Sequence, residues 1–306
     1  MTLFAPISEG RDDCKAGEAP ARSRASLSRV NTTAASALSD APLASTRIGE
    51  GSRRVAFLHG LMGRGRNFTG PAKELGDDFT VELIDLPDHG ASPWTDRVDY
   101  REIADRVAAH LRAGLAADGP VHLLGHSMGG KVAMVLALRH PELVDRLIVE
   151  DISPRLSPQA TDEFVHLLGT MLRMDLDAYD SRAEADAAMA EHVHDARVRG
   201  FLLQNLRRTA GHFAWQPNVA MLFEHLREIG SFPDPVVPED PERVFDHPVL
   251  WLAGAESDYV QDEDVPRMKE LFPRVVRVTV RDAGHWLHAD QPEAFVSAVR
   301  TFLTAD

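Results

Sequence analysis

Gly125-His126-Ser127-Met128-Gly129 follows the apolar run at residues 121–124 and leads into a helix-forming stretch at 131–139. The five residues fit the pattern G-x-S-x-G. In a strand, turn and helix order, that pattern lifts a serine hydroxyl above the end of a sheet on a sharp, strained turn. A glycine two residues to either side lets neighbouring backbone approach where a Cβ would collide. The bare pattern also occurs in ordinary surface turns, so a nucleophilic Ser127 needs a base, an acid and oxyanion donors from elsewhere in the chain.

Outward from the elbow the chain alternates. Upstream, residues 55–58 form a short apolar run ending at His59-Gly60, as a buried parallel strand does. A helix is expected near 68–75 and a strand at 80–85, followed by a loop at 86–92 broken by Pro87 and Gly90. Ile103, Val107, Leu111 and Leu115 recur four apart within 99–115, the stripe of a helix with one buried face. Downstream, residues 147–149 make a strand that ends at Glu150 and Asp151.

Between Ile152 and His247 no strand is evident, only helical stretches at 161–172, 182–194 and 219–229. Strands resume at 249–253 and 275–280 with a helix at 264–272 between them. A helix opened by Pro292 closes the chain, with Phe295, Val296, Val299, Phe302 and Leu303 on one face. The expectation is an α/β fold: a mostly parallel central sheet flanked by helices, residues 46–154 and 247–306, with an inserted helical cap at 155–246. Residues 1–45, rich in Ala, Ser, Arg and Pro and nearly free of aromatics, read as a disordered N-terminal extension. Glu9, Asp12, Asp13 and Glu18 in that arm argue against an organellar transit peptide.

Composition narrows the function classes. With 306 residues, 44% of them apolar, the chain has material for a sizeable core. A formal charge of -14 repels nucleic acid and anionic lipid, so neither is expected as a general partner. The single cysteine, Cys14, excludes an intramolecular disulfide framework and a multi-cysteine metal site, and fits a reducing cytoplasm. No stretch approaches the roughly 18–20 apolar residues of a membrane span. Oligomeric state is not legible.

A serine hydroxyl needs a base, and imidazole suits neutral pH. His285, after Ala283-Gly284 beyond the last strand, stands at the carboxyl edge of the expected sheet, where the elbow also emerges. His59 and His89 sit in tight glycine turns, where structural hydrogen bonds are the expected job. His192, His194 and Asp195 suggest a metal site at first glance, but residues two apart on a helix face different sides, so no metal is expected. Two aspartates qualify to orient His285: Asp258, just beyond the strand at 249–253, and Asp151, at the end of the preceding strand. Glu150 points to the opposite face from Asp151. Oxyanion donors are expected from the N–H groups of Met128, after the nucleophile, and Leu61, after His59-Gly60.

His59-Gly60 after a strand, Asp85 with His89-Gly90 and Ser92, the serine elbow and Gly284-His285 together resemble the α/β-hydrolase superfamily over residues 53–306, with the order Ser, Asp, His. A narrower resemblance is to the small bacterial acyl-ester and thioester esterases and their mitochondrial α/β-hydrolase-domain relatives. It rests on residues 125–131, Glu150-Asp151-Ile152-Ser153-Pro154, Ser257 with Tyr259-Val260, and Ala283-Gly284-His285-Trp286 with His288. That branch implies Asp151 as the triad acid. Asp258 departs from its pattern and keeps the alternative open, although it lies four residues after Gly254 where three is the commoner offset.

The resemblance implies a cofactor-independent serine hydrolase that cleaves small-molecule carboxylic esters or acyl thioesters through an acyl-enzyme. Ser127, His285 and Asp151 would form its triad, Leu61 and Met128 its oxyanion hole. Trp286, Trp215 and Phe213 are the aromatics expected at the substrate. The same fold also hosts carbon–carbon bond hydrolases, lyases and perhydrolases, and non-catalytic binding proteins that commonly lack a triad member.

Overall fold

The computed structural model describes residues 41–156, 158–209 and 211–305. In chain order the core runs β1 (Ser45–Ile48), β2 (Arg53–Leu58), α1 (Thr69–Leu75), β3 (Phe79–Ile84), α2 (Tyr100–Ala113), β4 (Val121–His126), α3 (Met128–Arg139) and β5 (Val144–Glu150). An excursion follows: α4 (Pro158–Arg173), α5 (Arg182–Ala190), α6 (Ala196–Leu203), β6 (Leu206–Thr209), β7 (His212–Trp215), α7 (Val219–Glu224) and α8 (Leu226–Gly230). The core resumes with β8 (Val249–Gly254), α9 (Val265–Leu271), β9 (Val275–Val280), α10 (Leu287–Asp290) and α11 (Pro292–Thr304).

Seven strands form one sheet in the order β1-β3-β2-β4-β5-β8-β9. Only β1 runs antiparallel, pairing Ser45 with Ile84. The alternation of side chains along β2 divides the core between the sheet's two faces. Val55 and Phe57 pack with Leu75 of α1 and with Phe295 and Val299 of α11. Ala56 and Leu58 face the layer that holds α2 and α3. Ile103, Val107 and Leu111 are buried as their spacing requires, and Asp99 starts α2 by accepting the N–H groups of Arg101 and Glu102. The parallel strands bring the carboxyl ends of β4, β5 and β8 to one edge.

Four expectations are corrected. The sheet begins at Ser45, inside the stretch read as an extension, and Leu43 is buried; residues 1–40 lie outside the described residues. The excursion contains strands, the antiparallel pair β6 and β7. The helix expected over 182–194 ends at Ala190, and Asp195 caps the next one by accepting the N–H groups of Arg197 and Val198. The helix expected over 219–229 divides at His225.

Candidate active site

Ser127 sits between β4 and α3 with φ 52 and ψ −119, a left-handed backbone that a serine adopts only under constraint. The constraint is visible on both sides. The Ser127 N–H donates to the carbonyl of Glu150 at 3.0 Å, and its own carbonyl receives the Lys131 N–H at 3.1 Å. A Cβ on Gly125 would fall on the carbonyl of Gly129, and one on Gly129 would fall on the carbonyl of Leu58. Both glycines are therefore required by close backbone approach.

At the end of β5, Asp151 is fully buried and also left-handed, with φ 49. Its carboxylate is saturated by donors: Oδ1 accepts the Gly254 N–H at 2.9 Å, and Oδ2 accepts the Ser257 hydroxyl and His285 Nδ1, the latter at 2.8 Å. Buried carboxylates persist when so paired. Asp258, the competing aspartate, is exposed, and among the described residues only its backbone carbonyl is engaged, by Gln261 Nε2 at 3.0 Å. The geometry thus brings Asp151, and not Asp258, to His285.

His285 is held from two further directions. The ring of Tyr259 stacks on it at 3.8 Å and 17°. The carbonyl of His285 accepts His126 Nε2 at 2.8 Å, which fixes His126 as the Nε2–H tautomer. Burial, and the neighbouring His285 and His288, push the His126 pKa well below 6.5, so it stays neutral. Behind it, His288 Nδ1 donates to Glu150 Oε1 at 2.7 Å. His126, Glu150 and His288 bring donor atoms within 4.8 Å of one another, as a metal site would. Glu150 Oε2 has no partner among the described residues, but the other donors are already engaged with each other or with the His285 carbonyl, as in a buried support for that loop. The sequence places Glu150 on the opposite face from Asp151, which agrees with the structure, but no sequence pattern announces the contact of His126 with the His285 carbonyl.

Among the described residues, the N–H groups of Leu61 and Met128 have no hydrogen-bonded acceptor. The Leu61 turn is braced by two buried imidazoles. His59 donates from Nδ1 to the Gly60 carbonyl at 2.8 Å and accepts the Leu86 N–H on Nε2 at 3.0 Å. His89 donates from Nδ1 to the Pro87 carbonyl at 2.9 Å and accepts the Met62 N–H on Nε2 at 3.1 Å. Burial and the neighbouring His89 lower the His59 pKa from 6.5 to about 3.

Two cavities meet at this edge. Leu61, Ser127, Met128, Ile152, Phe164 and Tyr259 line a narrow apolar one whose floor is Leu226, Ile229 and Lys131. Lys131 is buried and donates from Nζ to the carbonyls of Arg155, Gly230 and Ser231 at 3.1, 2.6 and 2.8 Å. A wider cleft of about 480 Å³ lies over His285 and Trp286 and shares Phe164 and Tyr259 with the first. Trp286 is thus at a cleft, beside Phe201 at 5.5 Å. Phe213 and Trp215 line neither cavity. They belong to β7, where the Trp215 indole N–H donates to the Met171 carbonyl at 3.1 Å and Phe213 lies beneath Arg208. The hairpin turns both toward the excursion's own packing and away from the site.

Comparison with known proteins agrees with this architecture. A model of the alpha/beta hydrolase family matches residues 55–298. The sn-1-specific diacylglycerol lipase ABHD11 of Danio rerio is 36% identical over 257 residues, covering 82% of this chain and 78% of its own. Esterase YbfF of Escherichia coli is 28% identical over 252 residues, covering 81% and 92%. A solved marine microorganism esterase superposes with a TM-score of 0.80 at 33% identity, covering 85% of this chain and 99% of its own. No helix among the described residues is long and apolar enough to cross a membrane. The fold, the strand-to-helix elbow and these relatives agree: the chain belongs to the alpha/beta hydrolase family, as a carboxylic ester hydrolase.

Proposed function

We propose that hydrolysis runs through an acyl-enzyme on Ser127, with His285 as base and Asp151 as the acid that orients it. The observation that carries this reading is the 2.8 Å hydrogen bond between His285 Nδ1 and Asp151 Oδ2, at the sheet edge where Ser127 rises from its strained turn. Asp151 fixes the Nδ1–H tautomer and leaves Nε2 to take the serine proton. Ser127 Oγ attacks the ester carbonyl carbon, and the carbonyl oxygen, now an anion, is held by the free N–H groups of Leu61 and Met128. Collapse breaks the bond to the alcohol oxygen, which receives the proton from His285. Water then gives a proton to His285 and attacks the acyl carbon, releasing the acid and restoring Ser127.

The excursion, residues 155–246, acts as a cap in this reading. Its Phe164, Leu226 and Ile229 give the narrow cavity the apolar walls an acyl group needs, and the alcohol portion lies over His285. Thioesters enter by the same chemistry with a thiol leaving group. A cytoplasmic site of action accords with the single cysteine. Because the Danio rerio relative is named for diacylglycerol, neutral glycerolipids belong in the first substrate panel.

The test is a chain-length series of aryl esters and acyl thioesters on the parent and on Ser127→Ala, with fluorophosphonate labelling in parallel. The reading requires Ser127→Ala to lose both label and turnover. Labelling or hydrolysis at parental levels by Ser127→Ala would overturn it.

A further inference from the structure

The walls of the cleft over His285 carry charge of one sign. Glu163, Glu256, Asp282 and Asp290 line it, against a single cation, Arg197. Arg197 is paired: one nitrogen of its exposed guanidinium meets Asp290 Oδ1 at 2.6 Å, and the second oxygen of Asp290 accepts the Gly284 N–H at 2.9 Å. That leaves Glu163, Glu256 and Asp282, all exposed, and none of the three has an ion-pair partner among the described residues. The remaining wall is aromatic and apolar, with Phe164, Phe201, Tyr259 and Trp286. Tyr259 ties this charge to the chemistry, since its ring lies on the His285 imidazole. Its phenol pKa is raised by burial, then by Glu163 and Asp151, so the Glu163 carboxylate is felt within the stack. The narrow cavity at Ser127 offers no such carboxylate and only one cation, Lys131, whose three protons are engaged by carbonyls.

We infer that the cleft over His285 is a leaving-group site that sorts substrates by charge, accepting neutral and cationic alcohols and rejecting those that carry phosphate or another anion. This rests on the serine esterase reading above and deepens it by naming the class of alcohol. In an ester held at Ser127, the acyl chain occupies the apolar cavity, and the alcohol extends between three uncompensated carboxylates and four aromatic rings. An ammonium group there meets opposite charge and ring faces, both of which attract it. A phosphate meets like charge, and the one cation in the lining, Arg197, is already paired with Asp290. Thioesters whose thiol carries phosphates fall in the rejected class.

Three butyrate esters separate charge from shape: the choline ester, its uncharged isostere the 3,3-dimethylbutyl ester, and the 2-phosphoethyl ester. Their kcat/KM values are compared on the parent, Glu163→Gln, Glu256→Gln, the double variant and, as a remote control, Asp77→Asn at the opposite edge of the sheet. The anionic ester should fall about tenfold or more below the neutral one, with the choline ester at or above it. Each Gln variant should narrow the anion-to-cation ratio about threefold, more in the double variant. Raising ionic strength should shrink the parental ratio, and Asp77→Asn should leave it unchanged. Equal rates for all three esters, or a ratio untouched by the double variant, overturn the inference while the esterase reading stands. No turnover of any of them, with Ser127 unlabelled, overturns both.

Discussion

His285 Nδ1 lies 2.8 Å from Oδ2 of Asp151 across 134 residues of sequence, while Asp258, far nearer in sequence, stands exposed, its carboxylate unengaged among the described residues. Asp151→Asn keeps the shape but offers His285 an amide in place of a carboxylate, which disfavours the tautomer a base requires. Its kcat should fall by about three to four orders of magnitude. Asp258→Asn should remain within about twofold of the parent, as surface changes commonly do. Steady-state assay of the two variants side by side decides between them.

His126 holds the loop of His285, the proposed base, by its carbonyl. His126→Phe keeps an aromatic ring but no donor, leaving the His285 carbonyl unpaired and its imidazole free to drift. We expect kcat to drop about ten- to a hundredfold with KM little changed, since misplacement of a reacting group is costly. His126→Asn, which restores a donor, should recover part of that loss. Equal kcat for Phe and the parent would show that the clamp is dispensable.

Much of this site is legible in sequence because its residues fall at the ends of strands. The apolar runs before Ser127 and Asp151 announce buried parallel strands, the valine-rich run before His285 is the half-exposed edge strand β9, and parallel strands deliver their carboxyl ends to one edge. β1 escapes such reading because it is an edge strand of four residues, three of them exposed, with no alternation to detect. The β6–β7 hairpin escapes for a similar reason: Arg207, Arg208 and His212 make its composition polar, and only Leu206 is buried. Phe213 and Trp215 misled because aromatic content says nothing about direction. The choice between Asp151 and Asp258 is three-dimensional, since both follow strands of the correct edge.

Lys131 pins the start and the later part of the excursion to α3, the helix that follows Ser127, through three carbonyls. Lys131→Met fills similar volume but abandons those acceptors in a buried setting. A loss of about 3 kcal/mol in unfolding free energy is expected, measured by urea denaturation. Because Lys131 also floors the apolar cavity, the variant should shift the acyl-length optimum in the aryl ester series. An unchanged midpoint and optimum together would contradict this role.

The braces at the Leu61 turn predict acid sensitivity. His59 is locked neutral when folded, with a pKa of about 3, against 6.5 for the unfolded imidazole. Between those values the unfolded chain binds a proton that the folded one does not, so unfolding takes up protons and stability falls as pH falls. Above pH 6.5 the contribution is complete. Below it, His59 alone should cost about 1.4 kcal/mol per pH unit down to about pH 3. His89, lowered by burial, adds to the same slope. Denaturation midpoints at pH 7 and pH 5 should diverge in the parent and converge in His59→Asn, which is already weakened at pH 7.

Phe164 and Tyr259 stand in the walls of both cavities, between the place proposed for the acyl group and the place proposed for the alcohol. With an acyl-enzyme formed, the departing alcohol vacates only its own side, and whatever fills that side next reaches the acyl carbon first. Water and a second alcohol are then competitors for one approach to one intermediate. Under the proposed acyl-enzyme mechanism, the ratio of free acid to transferred ester would follow acceptor concentration, and a medium rich in a neutral alcohol would divert acyl groups from water.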